Sequence, residues 1–246
     1  MKILIVADIH SNLPTLDKIL SISQNENPDL VICPGNFTDV FLVSDFPQLD
    51  LAEIITQKLL SLNKPLFCVP GNHDPPEILD VFRDYNCNLH NQLKPFQNFD
   101  FLGFGGAQTP FNTPFEPSEE ETSKSLEALF QKSQSPNKIL VAHNPPKDTP
   151  LDKIKSGQHV GSPSIRNLIL SQKPLLSISA HIHEGKGQYI LGTTTLFNPG
   201  PAFLGNYGLV SIEKSKITCF LKNVNPPQKI NHSKPAKNQK TNPRKK

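Results

Sequence analysis

Asp8 and His10 stand two residues apart in "VADIH", directly after the apolar run "KILIVA". Alternation along an extended chain sends both side chains to the same face. The pattern recurs: "VPGNHD" carries Asn72, His73 and Asp74, "VAHN" carries His143, and "SAHIHE" sets His181 and His183 two apart. A fifth apolar run ends in "CPGNFTD", where Asn36 follows the glycine turn and Asp39 lies three residues on. Any one strand-end histidine is explained by a backbone carbonyl partner, and "GN" is an ordinary turn pair. Five such ends together supply the mixed oxygen and imidazole donors, drawn from several segments, that a pair of divalent cations requires.

The elements that must carry these residues follow from the apolar runs, which predict strands at 2–7, 29–33, 65–69, 99–105, 138–142, 175–179, 195–198, 207–212 and 216–221. Several are too continuously apolar to have a wet face. Helical spacing occupies 14–24, 46–62, 119–133 and 163–172, with Ser118 or Pro163 as helix starts. Early β-α-β-α-β order and late hairpin-like pairs imply an α/β chain: a two-sheet β-sandwich flanked by helices. Open sheets of this kind bind ligands beyond the carboxyl ends of their strands, where the polar residues collect. The stretch 107–118, "AQTPFNTPFEPS", reads as an irregular loop long enough to serve a site.

The 246 residues, 36% apolar, suffice for one domain with its own core. A membrane protein is not expected: the N-terminal apolar run "ILIVA" is too short for a signal segment or a span, so the chain is read as cytoplasmic. Cys33, Cys68, Cys87 and Cys219 are far apart without CxxC spacing, as reduced, buried thiols would be. The net charge of +3 hides an asymmetry, because residues 222–246 hold eight Lys or Arg and no acid, leaving residues 1–221 at −5. The division is therefore a domain over 1–221 and a basic, disordered tail over 222–246. That tail is either a solvated extension or a weak, non-specific contact for nucleic acid or another polyanion.

The ordered set D-x-H, G-N, G-N-H-D, H and A-H-x-H resembles the calcineurin-like metallophosphoesterase family from Met1 to about residue 221, and "HVGSPSIR" and "FNPGP" resemble a prokaryotic branch of it. The resemblance implies a four-layer fold and two divalent metal ions drawn from Mn, Fe, Ni, Zn or Mg. It also implies hydrolysis of a phosphomonoester or phosphodiester by metal-activated water. Carried over residue by residue, Asp8, His10 and His183 match the ligands of one metal, and Asn72, His143 and His181 those of the other. His73 matches the histidine that assists the leaving group, and Asp74 the acid that orients it. No nucleophile motif accompanies the set, so no covalent phosphoenzyme is expected.

Two positions depart from the family pattern. Asn36 stands where the family has the aspartate that bridges both metals, and an amide is neutral with one acceptor oxygen. Three readings follow: an amide ligand in a weakened but working site, a catalytically impaired chain kept as a binding or scaffold module, or substitution by Asp39. Ala180 replaces a glycine, which strains the backbone if φ is positive there. Of the remaining polar residues, His159 is read as either a phosphate contact with Ser162 or a cap on the helix near Pro163. His90 reads as structural, and Glu184 as a brace for an imidazole or a solvated acid.

Overall fold

The computed structural model describes residues 1–214 and 216–225. Its strands are β1 (Lys2–Ile5), β2 (Leu30–Cys33), β3 (Leu66–Cys68), β4 (Gln92–Phe96), β5 (Phe99–Phe104), β6 (Lys138–Ala142), β7 (Leu176–Ile178), β8 (Gly187–Leu191), β9 (Thr194–Asn198), β10 (Asn206–Glu213) and β11 (Lys216–Asn223). The helices are α1 (Leu13–Ser23), α2 (Gln48–Leu60), α3 (Ile78–Asp84), α4 (Glu119–Lys132) and α5 (Pro163–Gln172). One sheet has the order β11-β10-β1-β2-β3, the other β4-β5-β6-β7-β9-β8.

Period-2 alternation divides each buried strand between two apolar layers. In β1, Ile3 and Ile5 face the opposing sheet with Phe101, Val141 and Ile178, while Leu4 faces α1 and α2 with Leu16 and Ile55. A third layer places α4 and α5 on the second sheet through Leu126, Leu129, Ile165 and Ile169. The result is the expected two-sheet sandwich flanked by helices, four layers deep. Continuous apolarity in β1, β2 and β6 follows from being covered on both faces.

Helix starts are written locally. Asn12 accepts from the Thr15 amide at 3.1 Å ahead of Pro14, and Ser162 accepts from Ile165 at 3.1 Å ahead of Pro163. Ser118 and Glu121 form a reciprocal capping box on α4. The helix over 163–172 thus starts at Pro163 but is capped by Ser162, not by His159.

Three elements lie outside the sequence expectations. Strand β4 contains Pro95 and β8 lies mostly exposed, and both are edge strands whose pairing depends on β5 and β9 rather than on their own apolarity. Helix α3 has only seven residues, too few for a periodic signal. Strand β11 also runs to Asn223, past the expected end at 221, and Val224 packs on the core. From residue 226 onward, the expected disordered tail and its polyanion contact lie outside the described residues. Cys33, Cys68 and Cys87 are buried and Cys219 partly so, with no disulfide among them. No described helix is long and apolar enough to cross a membrane.

Candidate metal centre

The loops after β1 and β2 are zipped together by main-chain bonds: Asp8 N to Gly35 O at 3.1 Å, and Ile9 N and His10 N both to Asn36 O at 2.8 and 3.0 Å. This places Asp8, His10, Asn36 and, further round, His181 in left-handed backbone at φ 51°, 48°, 54° and 66°. Such conformations are costly for non-glycine residues and persist where the surroundings enforce them, characteristically at functional sites. Ala180 is not among them, so the strain expected from replacing glycine there does not arise. Glycine is required instead at Gly71, where an added Cβ would run into the Asn36 side chain.

Around this turn the histidines converge. Ligand atoms of Asp8, His10 and His183 lie within 4.8 Å of one another, and a second such group joins His10, Asp39 and His73. Both ring nitrogens of His10 are buried without a hydrogen-bond partner. Its Nδ1 comes to 3.4 Å of Asp39 Oδ2 as an ion-pair contact without hydrogen-bond alignment. Burial opposes a charge on His10, but Asp39 and Asp8 outweigh it and raise its pKa. His181 is pushed down to about 3 and His143 well below the imidazole range, in each case by burial and then by a neighbouring histidine. Neutral imidazoles are the form that ligates metal.

The other expected ligands meet in a way that points to a cation. His143 donates its Nδ1–H to the Pro34 carbonyl at 2.7 Å, which leaves Nε2 bare. Asn72 donates its amide to Thr113 Oγ1 at 3.1 Å, and the Thr113 hydroxyl is itself turned toward Glu116, so the Asn72 oxygen must face inward. The inward atoms, His143 Nε2 and Asn72 Oδ1, lie 3.1 Å apart with no proton to share. Two lone pairs so placed repel each other unless a cation lies beside both. His181 stands next to them, its ring centroid 5.1 Å from that of His143. The donor chemistry therefore fits a divalent cation at Asp8, His10 and His183, and the facing lone pairs of His143 and Asn72 suit a cation as well.

Asn36 is the exception. Its oxygen accepts the His73 backbone N–H at 3.0 Å, so its NH2 points inward, 3.1 Å from Asp8 Oδ1 and 3.4 Å from Asn72 Oδ1. An amide nitrogen carries no lone pair for a metal, and turning it round would set two donors against each other at His73. Asn36 therefore turns its NH2, and not its oxygen, toward Asp8 and Asn72.

The acid partner of His73 requires a correction. Asp74, expected to orient His73, accepts instead from the amides of Phe37, Thr38 and Gly71 at 3.2, 2.9 and 2.8 Å and from the Thr38 hydroxyl at 3.0 Å. Burial pushes its pKa up and those donors offset part of the rise; its work is to fasten the β2 and β3 loops together. The residue on His73 is Asp39, which accepts from Nδ1 at 2.9 Å and is held well below the usual carboxylate range, chiefly by His10. Burial, then the charge of His10, lower the pKa of His73. Three-residue spacing from Asn36 was the one sequence signal for Asp39.

His159 is not brought to the site: its Nδ1 donates to Asp152 at 2.7 Å, inside a loop that Asp152 organises through Thr149 and Gly161. Glu184 is exposed and His90 is half-buried against Phe104 and Phe115. Asn198 of "FNPGP" braces the histidine-pair loop by donating to the carbonyls of Ala180 and Ile182 at 3.3 and 3.0 Å. The loop over 107–118 acts through Thr113 and Glu116 as the clamp on Asn72.

The family description of calcineurin-like phosphoesterases matches residues 1–185 of this chain. Uncharacterized protein MJ1162 of Methanocaldococcus jannaschii is 32% identical over 209 residues, covering 82% of this chain and 88% of that protein. The chain belongs to the calcineurin-like phosphoesterase family. In fold it resembles the crystal structure of TT1561 of Thermus thermophilus, with a TM-score of 0.71 at 22% identity over 91% of this chain and 98% of that one. A dimetal phosphatase from Danio rerio is similar at a TM-score of 0.60 and 11% identity, over 91% and 96% of the two chains.

Proposed function

We propose that this chain hydrolyses a phosphomonoester or phosphodiester, holding one divalent cation firmly and a second weakly. The observation that carries the reading is the pairing of bare His143 Nε2 with the clamped oxygen of Asn72, 3.1 Å away, beside the unpartnered nitrogens of His10. Asp8, His10 and His183 would hold one cation, and Asn72, His143 and His181 the other. Such ions supply Lewis-acid polarisation of phosphoryl oxygens and acidify water. His73, with its Nδ1–H committed to Asp39, presents a bare Nε2 that would take up the proton released by the attacking water and return it to the departing alkoxide. Water oxygen joins phosphorus, the ester P–O bond breaks, and no covalent phosphoenzyme intervenes.

Asn36 weakens the second position because its NH2 adds no charge between two dications and no ligand atom. The same observation favours the alternative, a catalytically impaired chain that keeps the fold as a binding module. Assays of p-nitrophenyl phosphate and bis-p-nitrophenyl phosphate with Mn²⁺, Ni²⁺, Zn²⁺ or Mg²⁺ separate the two. Turnover that rises with metal up to millimolar concentrations supports the weakened enzyme; no turnover with any ion, at high protein, establishes the binding module.

A further inference from the structure

Beyond β2 the chain leaves the site through "VFLVSDF", residues 40–46, and this segment is apolar where it should be polar. Phe41, Leu42, Val43 and Phe46 are 63, 51, 98 and 61% exposed. Scattered exposed apolar residues are ordinary, but a contiguous run beside a site marks a contact surface. Phe41 sets its ring edge-on to His73, centroids 5.3 Å apart, so the run begins at the group that serves the leaving alkoxide. Leu42 and Phe46 flank a recess of about 100 Å³ that also reaches Ser11 and Asp39. On the opposite rim Phe203 lies edge-on to His10 and His183 at 5.4 and 5.1 Å, and Leu204 beside it is 57% exposed.

Charge points the same way. Among the described residues, no lysine or arginine bonds to the metal-ligand cluster, to His73 or to Asp39; every ion pair there joins a histidine to Asp8 or Asp39. The only charged side chain within 40–46 is the acidic Asp45. A polyanionic leaving group would find no partner on this side, whereas an apolar one would be desolvated at once.

Building on the phosphoester reading above, we infer that the substrate is an amphiphilic phosphoester whose alcohol is a sizeable apolar group, seated on the 40–46 segment while its phosphate occupies the metal centre. The amphiphile enters as a single molecule from water. A bilayer surface is the less fitting occupant, because residues 1–221 carry a net −5 and the rim offers no basic side chain to lipid headgroups.

Calorimetric titration of the full chain in Mn²⁺ with n-alkylphosphonates from methyl to octyl tests this without turnover. A fully buried methylene is worth about fourfold in affinity, and a half-buried one on an open rim about twofold. Octylphosphonate should therefore bind about a hundredfold more tightly than methylphosphonate. In the variant Leu42→Ser/Val43→Ser/Phe46→Ser, altered only at exposed positions, that chain-length gain should largely vanish while methylphosphonate binding stays the same. A flat series in the wild type, or an equal gain in the variant, overturns the apolar seat and leaves the phosphoester reading standing. Failure of every phosphonate, methyl included, overturns both. Binding of the wild type but not the variant to phosphatidylcholine vesicles would replace the amphiphile with a bilayer, and a dimer by light scattering that the variant abolishes would replace it with a second copy.

Discussion

Replacing Asn36 by aspartate tests the reading of the metal centre directly. The amide NH2 lies 3.1 Å from Asp8 Oδ1, so Asn36→Asp exchanges a hydrogen bond for two carboxylates at that separation. At an effective dielectric constant of about 20, two unit charges there repel by about 5 kcal/mol. Proton uptake limits the cost: keeping a carboxyl with a reference pKa of about 3.9 protonated at pH 7 takes about 4 kcal/mol. Without metal the variant should therefore lose about 4 kcal/mol, which for a domain of this size lowers the melting temperature by about 10 °C. Under the proposed metal reading the sign reverses with metal, because the new charge would lie between cations and its inward oxygen would be a ligand, while the outward oxygen would still accept from His73. Melting in chelator and in millimolar Mn²⁺, with elemental analysis of both proteins, measures the effect. The variant should melt lower than wild type in chelator, gain more from Mn²⁺, hold closer to two metals per chain and turn over ester at lower metal concentration. Equal melting in chelator together with two metals per chain in the wild type would refute the argument about Asn36.

Asp39→Asn removes the charge that accepts from His73 Nδ1 and should lower kcat about 10- to 100-fold with KM little changed; an unaltered kcat would give the pair a purely structural role. Thr113→Val frees the Asn72 amide, so the oxygen no longer has to face inward, and metal affinity by titration should fall about 10- to 100-fold; unchanged affinity would mean that the clamp is dispensable. His90 is half-buried, and desolvation pushes its pKa from 6.5 to about 4, so the folded state binds fewer protons than the unfolded one below pH 6.5. Stability is full above pH 6.5 and is lost as the pH falls toward 4, by about 3 kcal/mol from this group. His90→Gln keeps an acceptor for Gly105 N–H and should lack that component, so a urea-derived stability difference from wild type that does not change with pH would discard the assignment.

The strands that carry the ligands were legible because a continuous apolar run closed by polar turn residues is decided within a few residues, as "VICPGN" and "KILVAHN" show. Ser118 with Glu121 was legible for the same reason: a capping box is complete within four residues. The residues of the metal centre could be gathered from their types and order, since Asp, Asn and His at successive strand ends must meet once the sheet forms. Their hydrogen bonds could not. Asp74 adjoins His73 in the chain and Asp39 is 34 residues away, yet the packing of the β2 and β3 loops assigned three backbone amides to Asp74 and left His73 to Asp39. His159 likewise went to Asp152, seven residues away, because their loop folds back on itself. The inward NH2 of Asn36 is decided by one donor, the His73 amide, which comes from a turn 37 residues distant in the chain. An amide looks the same from either end in a sequence, and it acquires a direction only when tertiary structure sets a donor beside one of its atoms.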